Sequence, residues 1–118
     1  MSAAATAGRA TLWRVGRSDD VPVLEGRSVV VAGRRIAVFN TGAGFAAIDA
    51  DCPHRGGPLA DGIVADGCVT CPLHDWRVDL RRGEVVAGGE GAVRSHEVIE
   101  CDGELLLRVD PPTPGGGA

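Results

Sequence analysis

Two ligand couplets constrain this chain more than anything else in it: Cys52-Pro53-His54 and Cys71-Pro72-Leu73-His74, with sixteen residues between His54 and Cys71. Each supplies one thiolate and one imidazole. In Cys52-x-His54 the side chains are two apart and can point the same way from an extended loop. In Cys71-x-x-His74 they are three apart, as suits a tight turn. Residues for tight loops follow both couplets, Arg55-Gly56-Gly57-Pro58 after the first and Asp75-Trp76 after the second. Two such loops stacked face to face would present two sulfurs on one side and two imidazoles on the other. The fold must therefore bring these two stretches together.

The rest of the sequence reads as short strands joined by glycine turns. Leu12–Val15 alternates. Ser28–Ala32 and Arg35–Phe39 flank Gly33-Arg34, a compact hairpin signal. Phe45–Ile48 follows the turn Thr41-Gly42-Ala43-Gly44. Gly62–Val64 and Cys68–Thr70 flank Ala65-Asp66-Gly67, and Trp76–Leu80 ends at the turn Arg81-Arg82-Gly83. Val93–Cys101 and Glu104–Val109 flank Asp102-Gly103, the strongest hairpin signal of all. No segment sustains a helical apolar period, so the expected class is all-β, an antiparallel sandwich or small barrel. Both couplets fall in loops at strand ends, where a rigid scaffold presents functional residues.

A chain of 118 residues is read as one domain, residues 11–110. An Ala-rich stretch, 1–10, and a Pro/Gly-rich stretch, 111–118, read as disordered tails. About a hundred residues can build only a modest core without a cofactor. Aromatics are few (Trp13, Phe39, Phe45, Trp76) and Tyr is absent, so core volume must come from Val, Ile, Leu and Ala. The 12 basic residues, all Arg, face 16 acidic ones, and without a basic stripe a nucleic-acid partner is not expected. No apolar run approaches the roughly 20 residues of a spanning helix. No secretory leader pattern opens the chain, and the expected location is cytoplasmic, away from membranes.

Two soft sulfurs and two borderline nitrogens in this order suit a centre with two chemically different metal sites. The natural candidate is one [2Fe-2S] cluster, with Cys on one iron and His on the other. Neutral imidazoles in place of two thiolates remove negative charge and ease reduction, lifting potentials from about −400 mV to a window of roughly −150 to +300 mV. Gly56 and Gly57 let backbone N–H groups approach sulfur, Pro53, Pro58 and Pro72 stiffen the loops, and Leu59 and Leu73 are candidate apolar shields. Structural zinc on the same four ligands is a weaker reading because the interleaved order is unlike zinc spacing. A Cys68-x-x-Cys71 redox disulfide is also weaker, since residues three apart on a strand face opposite sides. Cys68 and Cys101 are expected as small buried apolar residues, His96 as a surface or rim residue, and Trp76 as a plug under the second loop. No nucleophile–base pair and no phosphate-cradling loop remain once the couplets are assigned, so catalysis by the chain alone is not expected.

Cys-x-His, sixteen residues, Cys-x-x-His resembles the Rieske [2Fe-2S] family, over roughly Trp13 to Val109. The resemblance implies a β domain carrying a small cluster-binding subdomain, about 51–76. It implies that Cys52 and Cys71 bind one iron and His54 and His74 the other. Respiratory-chain members brace the cluster with an extra Cys in each loop and bond its sulfurs with hydroxyls. Gly57, Leu73 and Asp75-Trp76 stand in those places here, which implies a carrier toward the low end of the potential range. Cys52–Leu59, Cys71–Trp76 and Gly88-Gly89-Glu90-Gly91 look like the small subunit of assimilatory NAD(P)H-dependent nitrite reductase. That likeness implies an electron-transfer subunit serving a larger redox partner. The alternative is a ferredoxin feeding a ring-hydroxylating dioxygenase or similar multicomponent oxygenase, although Asp75 stands where such ferredoxins more often have Gly.

Overall fold

The computed structural model describes residues 5–7, 10–52, 58–73 and 75–109. Among the described residues, eleven strands form two antiparallel sheets. The larger is built from β1 (Ala5–Ala7), β2 (Ala10–Arg17), β3 (Gly26–Val31), β4 (Arg34–Asn40), β5 (Phe45–Asp49), β10 (Ser95–Cys101) and β11 (Glu104–Val109), in the order β1-β2-β11-β10-β5-β4-β3. The smaller contains β6 (Ile63–Ala65), β7 (Cys68–Thr70), β8 (Arg77–Asp79) and β9 (Val85–Ala87) in sequential order. Apart from the edge strand β1, the large sheet curls into a near-closed six-stranded barrel, leaving a cavity of about 170 Å³ where β2 and β3 approach. The all-β expectation holds. Among the described residues no helix is long and apolar enough to cross a membrane.

Three hairpins turn on two residues that both have positive φ: Ala32-Gly33 (52° and 78°), Asp66-Gly67 (53° and 74°) and Asp102-Gly103 (54° and 80°). Such turns match the right-handed twist of the strands they join. The first sits one residue earlier than the expected Gly33-Arg34, because Arg34 already pairs with Val31. Within the stretch expected as an N-terminal tail, Ala5–Ala7 pairs with β2. The remainder of that stretch and the tail 111–118 lie outside the described residues. Strand β9 is an addition to the sequence reading, which had no alternation to work with in three residues beside a glycine run.

Strand parity explains both cores. On β4, Ile36 and Val38 face the barrel interior, where they meet Val31, Ala47, Leu105, Leu107 and Val109. Ala37 and Phe39 face the other way, into a second core shared with the small sheet. Strand β5 repeats the division, with Ala47 inward and Ile48 outward. A strand covered on both faces reads as a continuous apolar run, as Ile36–Phe39 does.

Candidate metal centre

The two cysteines of the couplets owe their positions to this parity. Ile48, Ala50 and Cys52 continue the outward face of β5 beyond its end, and all three are buried in the second core. Cys71 has the same relation to Val69 on β7. Cys52 is 3% exposed and Cys71 fully buried, both in one cluster with Phe39, Leu59, Val64, Val78 and Leu80. The structure therefore brings together the two thiol-bearing residues that the sequence singled out. Their partners His54 and His74, with Pro53 and Arg55–Gly57, lie outside the described residues.

Each loop is closed by backbone hydrogen bonds. At the first, Ala50 N–H donates to the Arg35 carbonyl (3.0 Å), the Ala50 carbonyl accepts from Leu59 N–H (3.0 Å), and Asp51 bridges to Pro58. At the second, Cys71 N–H donates to the Trp76 carbonyl at 2.7 Å. Inside that turn, Leu73 N–H points at Cys71 Sγ, 3.4 Å away. Asp75 adopts the left-handed conformation, φ 58°, that returns the chain to β8. A buried sulfur with an N–H donor aimed at it is the environment that an electron-rich, metal-bound sulfur requires. The described half of the donor set thus suits a cluster with its sulfur side buried.

Other residues depart from their sequence reading. Leu59 is fully buried, and Leu73 is 46% exposed. Cys101 is exposed at the end of β10 and Cys68 is half-buried, neither being the core residue expected; Cys68 and Cys71 are not joined as a disulfide. Trp76 packs against the second core, as a plug should.

His96 is the largest correction. Its side chain is only 2% exposed, and Nε2 donates to Asp49 Oδ1 at 3.0 Å. Asp49 also accepts from Arg34 Nη2 (3.3 Å) and from Arg94 N–H (3.1 Å). His96 pairs with Ala47 and Asp49 pairs with Ile36. All three polar side chains therefore share the inward face of the barrel and close its end near the first loop. The signal was available in the alternation Arg34, Ile36, Val38 and Phe45, Ala47, Asp49, which puts the charged residues in phase with the core.

Residues 11–97 match the Rieske [2Fe-2S] domain family. Among characterised relatives, the anthranilate 1,2-dioxygenase ferredoxin subunit of Burkholderia cepacia is 38% identical over 81 residues, covering 67% of this chain and 75% of that one. The methanesulfonate monooxygenase ferredoxin subunit of Methylosulfonomonas methylovora is 38% identical over 73 residues, covering 61% of this chain. The chain spans about half the length of the first such relatives, 59% of that subunit and 47% of a human Rieske domain-containing protein. Among solved structures, the ferredoxin of carbazole 1,9a-dioxygenase from Nocardioides aromaticivorans IC177 superposes with a TM-score of 0.77 at 27% identity, covering 81% of this chain and 95% of that one. A protein from Mycobacterium tuberculosis designated an NADH-dependent nitrite reductase small subunit gives 0.81 at 18% identity, covering 89% and 100%.

Proposed function

The chain belongs to the Rieske [2Fe-2S] family, and from that premise we propose that it is a ferredoxin-type carrier delivering single electrons to an oxygenase component. Membership implies a [2Fe-2S] cluster, which when bound takes up and releases one electron. In this reading Cys52 and Cys71 hold one iron and His54 and His74 the other. The second core buries the sulfur side, excluding water from Cys52 and Cys71. The Leu73 N–H supports the Cys71 sulfur. With neither hydroxyl donors nor bracing cysteines, the potential is expected in the lower half of the roughly −150 to +300 mV window.

One observation carries the choice of partner. The identity to oxygenase ferredoxins reaches 38% across 75% of such a subunit. The likeness to nitrite reductase small subunits of solved structure reaches 23% identity, a level that speaks to fold alone. The residues that favoured nitrite reductase in the sequence are Cys52–Leu59, Cys71–Trp76 with its Asp75, and the segment Gly88–Gly91. Two of those glycines have a packing role against Trp76. The solved ferredoxin–oxygenase complex of carbazole 1,9a-dioxygenase matches with a TM-score of 0.77 at 21% identity, which likewise speaks to fold alone.

The test has two parts. Iron and acid-labile sulfide should be present, with the paramagnetic resonance spectrum of a mixed Cys/His cluster on reduction. His74→Ala should abolish that spectrum, and an unchanged spectrum refutes the ligand assignment. Reduced protein should then be reoxidised by an oxygenase component in the presence of its substrate. Electron delivery to a nitrite reductase large subunit, with none to the oxygenase, would reverse the choice of partner.

A further inference from the structure

A third loop reaches the second couplet from the far end of the small sheet. Gly88 and Gly89 follow β9 and lie flat against Trp76. A Cβ built on Gly89 would stand 2.2 Å from Trp76 Cζ2, 2.3 Å from Cη2 and 2.5 Å from Cε2. One on Gly88 would stand 3.0 Å from Trp76 Cα and 3.1 Å from Cδ1, and Gly88 has φ 91° as well. Real Cβ atoms essentially never approach as closely as one on Gly89 would, and Gly88 joins a tight contact to a left-handed φ, so both positions favour glycine while the indole keeps its place. The seat runs along the indole from Cδ1 to Cη2. Its other neighbour is the second core, against which Trp76 also packs.

We propose that Gly88 and Gly89 are the seat of a clamp, and that Trp76 is a positioning residue for Cys71. The path is short. The Trp76 carbonyl accepts the Cys71 N–H at 2.7 Å, which closes the turn. Within the closed turn, Leu73 N–H is held 3.4 Å from Cys71 Sγ. A hydrogen bond to a ligand sulfur stabilises the more electron-rich, reduced state and so raises the potential. Seating the indole thus sets how firmly the N–H is held on sulfur, and the loop after β9 acts on electron affinity without touching the metal. The inference rests on the reading of Cys71 as a ligand.

Two measurements on the full, cluster-loaded chain separate the clamp from its consequence. Gly89→Ala must displace the indole. Hydrogen exchange in a peptide covering 71–77 should then speed up, and the midpoint potential should fall. Loss of one such hydrogen bond corresponds to up to about tenfold in the reduction equilibrium, or about 59 mV for one electron. Trp76→Phe removes the indole atoms that the added methyl would strike. In the W76F background, Gly89→Ala should therefore change neither exchange nor potential. If Gly89→Ala loads no cluster, the G89A/W76F pair should regain it, and failure to regain it overturns the clamp. Equal exchange in wild type and G89A overturns it too, as does an equal potential shift in both backgrounds. Faster exchange with an unmoved potential leaves the clamp in place but refutes its reach to Cys71. A wild-type chain lacking the cluster spectrum refutes the ligand reading instead.

Discussion

In the barrel, the strands run up to eight residues and enclose an interior of their own; in the small sheet, every strand has three. The small sheet is stabilised by packing against the barrel. Its inward residues Val64, Val69 and Val78, with Leu80, have no separate core: they share one with Ala37, Phe39 and Ile48 from the outer face of the barrel. Cys52 and Cys71 lie within that shared core, the first reached from a barrel strand and the second from the small sheet. The two sulfurs therefore keep their relative position only while the two sheets stay packed. On the proposed ligand assignment, the barrel is expected to survive damage to the small sheet and the metal centre is not.

Phe39 should expose this difference most strongly. It is fully buried at the junction, and its ring also fills the space over Gly26. Phe39→Ala is expected to cost about 3–5 kcal/mol and to release the cluster before the barrel unfolds. Visible absorbance and far-ultraviolet circular dichroism, followed together in urea, should separate into two transitions. Leu107→Ala, at about 2–5 kcal/mol in the barrel interior, should instead move both signals together. Coincident transitions in the Phe39 variant would mean that the two sheets form one cooperative unit.

Asp49 tests the link at the other end. Asp49→Ala leaves the buried His96 without an acceptor and deprives Arg34 and Arg94 N–H of theirs. Each buried unsatisfied donor costs about 1–3 kcal/mol. Because Asp49 is 32% exposed, water can reach part of the gap, and the total should fall toward the low end. Urea titration should show the barrel itself destabilised, unlike the junction variant. An unchanged midpoint would show that His96 finds another partner.

Gly62→Ala confines the damage to the small sheet. The added methyl would stand 2.3 Å from the Thr70 carbonyl oxygen and 2.7 Å from Val69 Cγ2, so β6 and β7 must part. Overpacking of this kind costs about 1–3 kcal/mol. Cluster retention should drop, with the far-ultraviolet transition little changed. A lowered barrel midpoint with full retention would reverse the assignment of weak and strong regions.

The difference between the regions also governed what could be read from sequence. Barrel strands announce themselves by alternation and by turn residues such as Asp102-Gly103, and the couplets name their own chemistry. The three-residue strands β6, β7 and β8 were legible from the turns Asp66-Gly67 and Arg81-Arg82-Gly83 beside them, whereas β9 runs straight into Gly88-Gly89 and reads as part of a loop. The shift at Ala32-Gly33 arises because Ala is a poor marker for a left-handed position that the hairpin twist nonetheless demands. His96 is flanked by Ser95 and Glu97, a polar run that reads as surface. Its burial depends on pairing with Ala47, a contact across 49 positions of sequence. The clamp on Trp76 is likewise nonlocal. Gly88 and Gly89 look like loop filler until the indole is seen lying on them.

The smallest expected effect sharpens the comparison from the barrel side. Ala32 and Asp102 occupy equivalent positions in two hairpin turns, at φ 52° and 54°. A side chain without a local hydrogen-bonding group costs about 1–2 kcal/mol in that conformation, whereas Asn and Asp tolerate it. Ala32→Asn should therefore stabilise the chain by up to about 1 kcal/mol, read as a higher urea midpoint in the far-ultraviolet signal. The turn joins β3 to β4, far from the small sheet along the chain but on the strand whose outer face carries Phe39. If cluster release is a separate event at the junction, its midpoint should stay put while the barrel midpoint rises. If both rise equally, β4 transmits stability from one core to the other, and the metal centre depends on the whole barrel and not on its outer face alone.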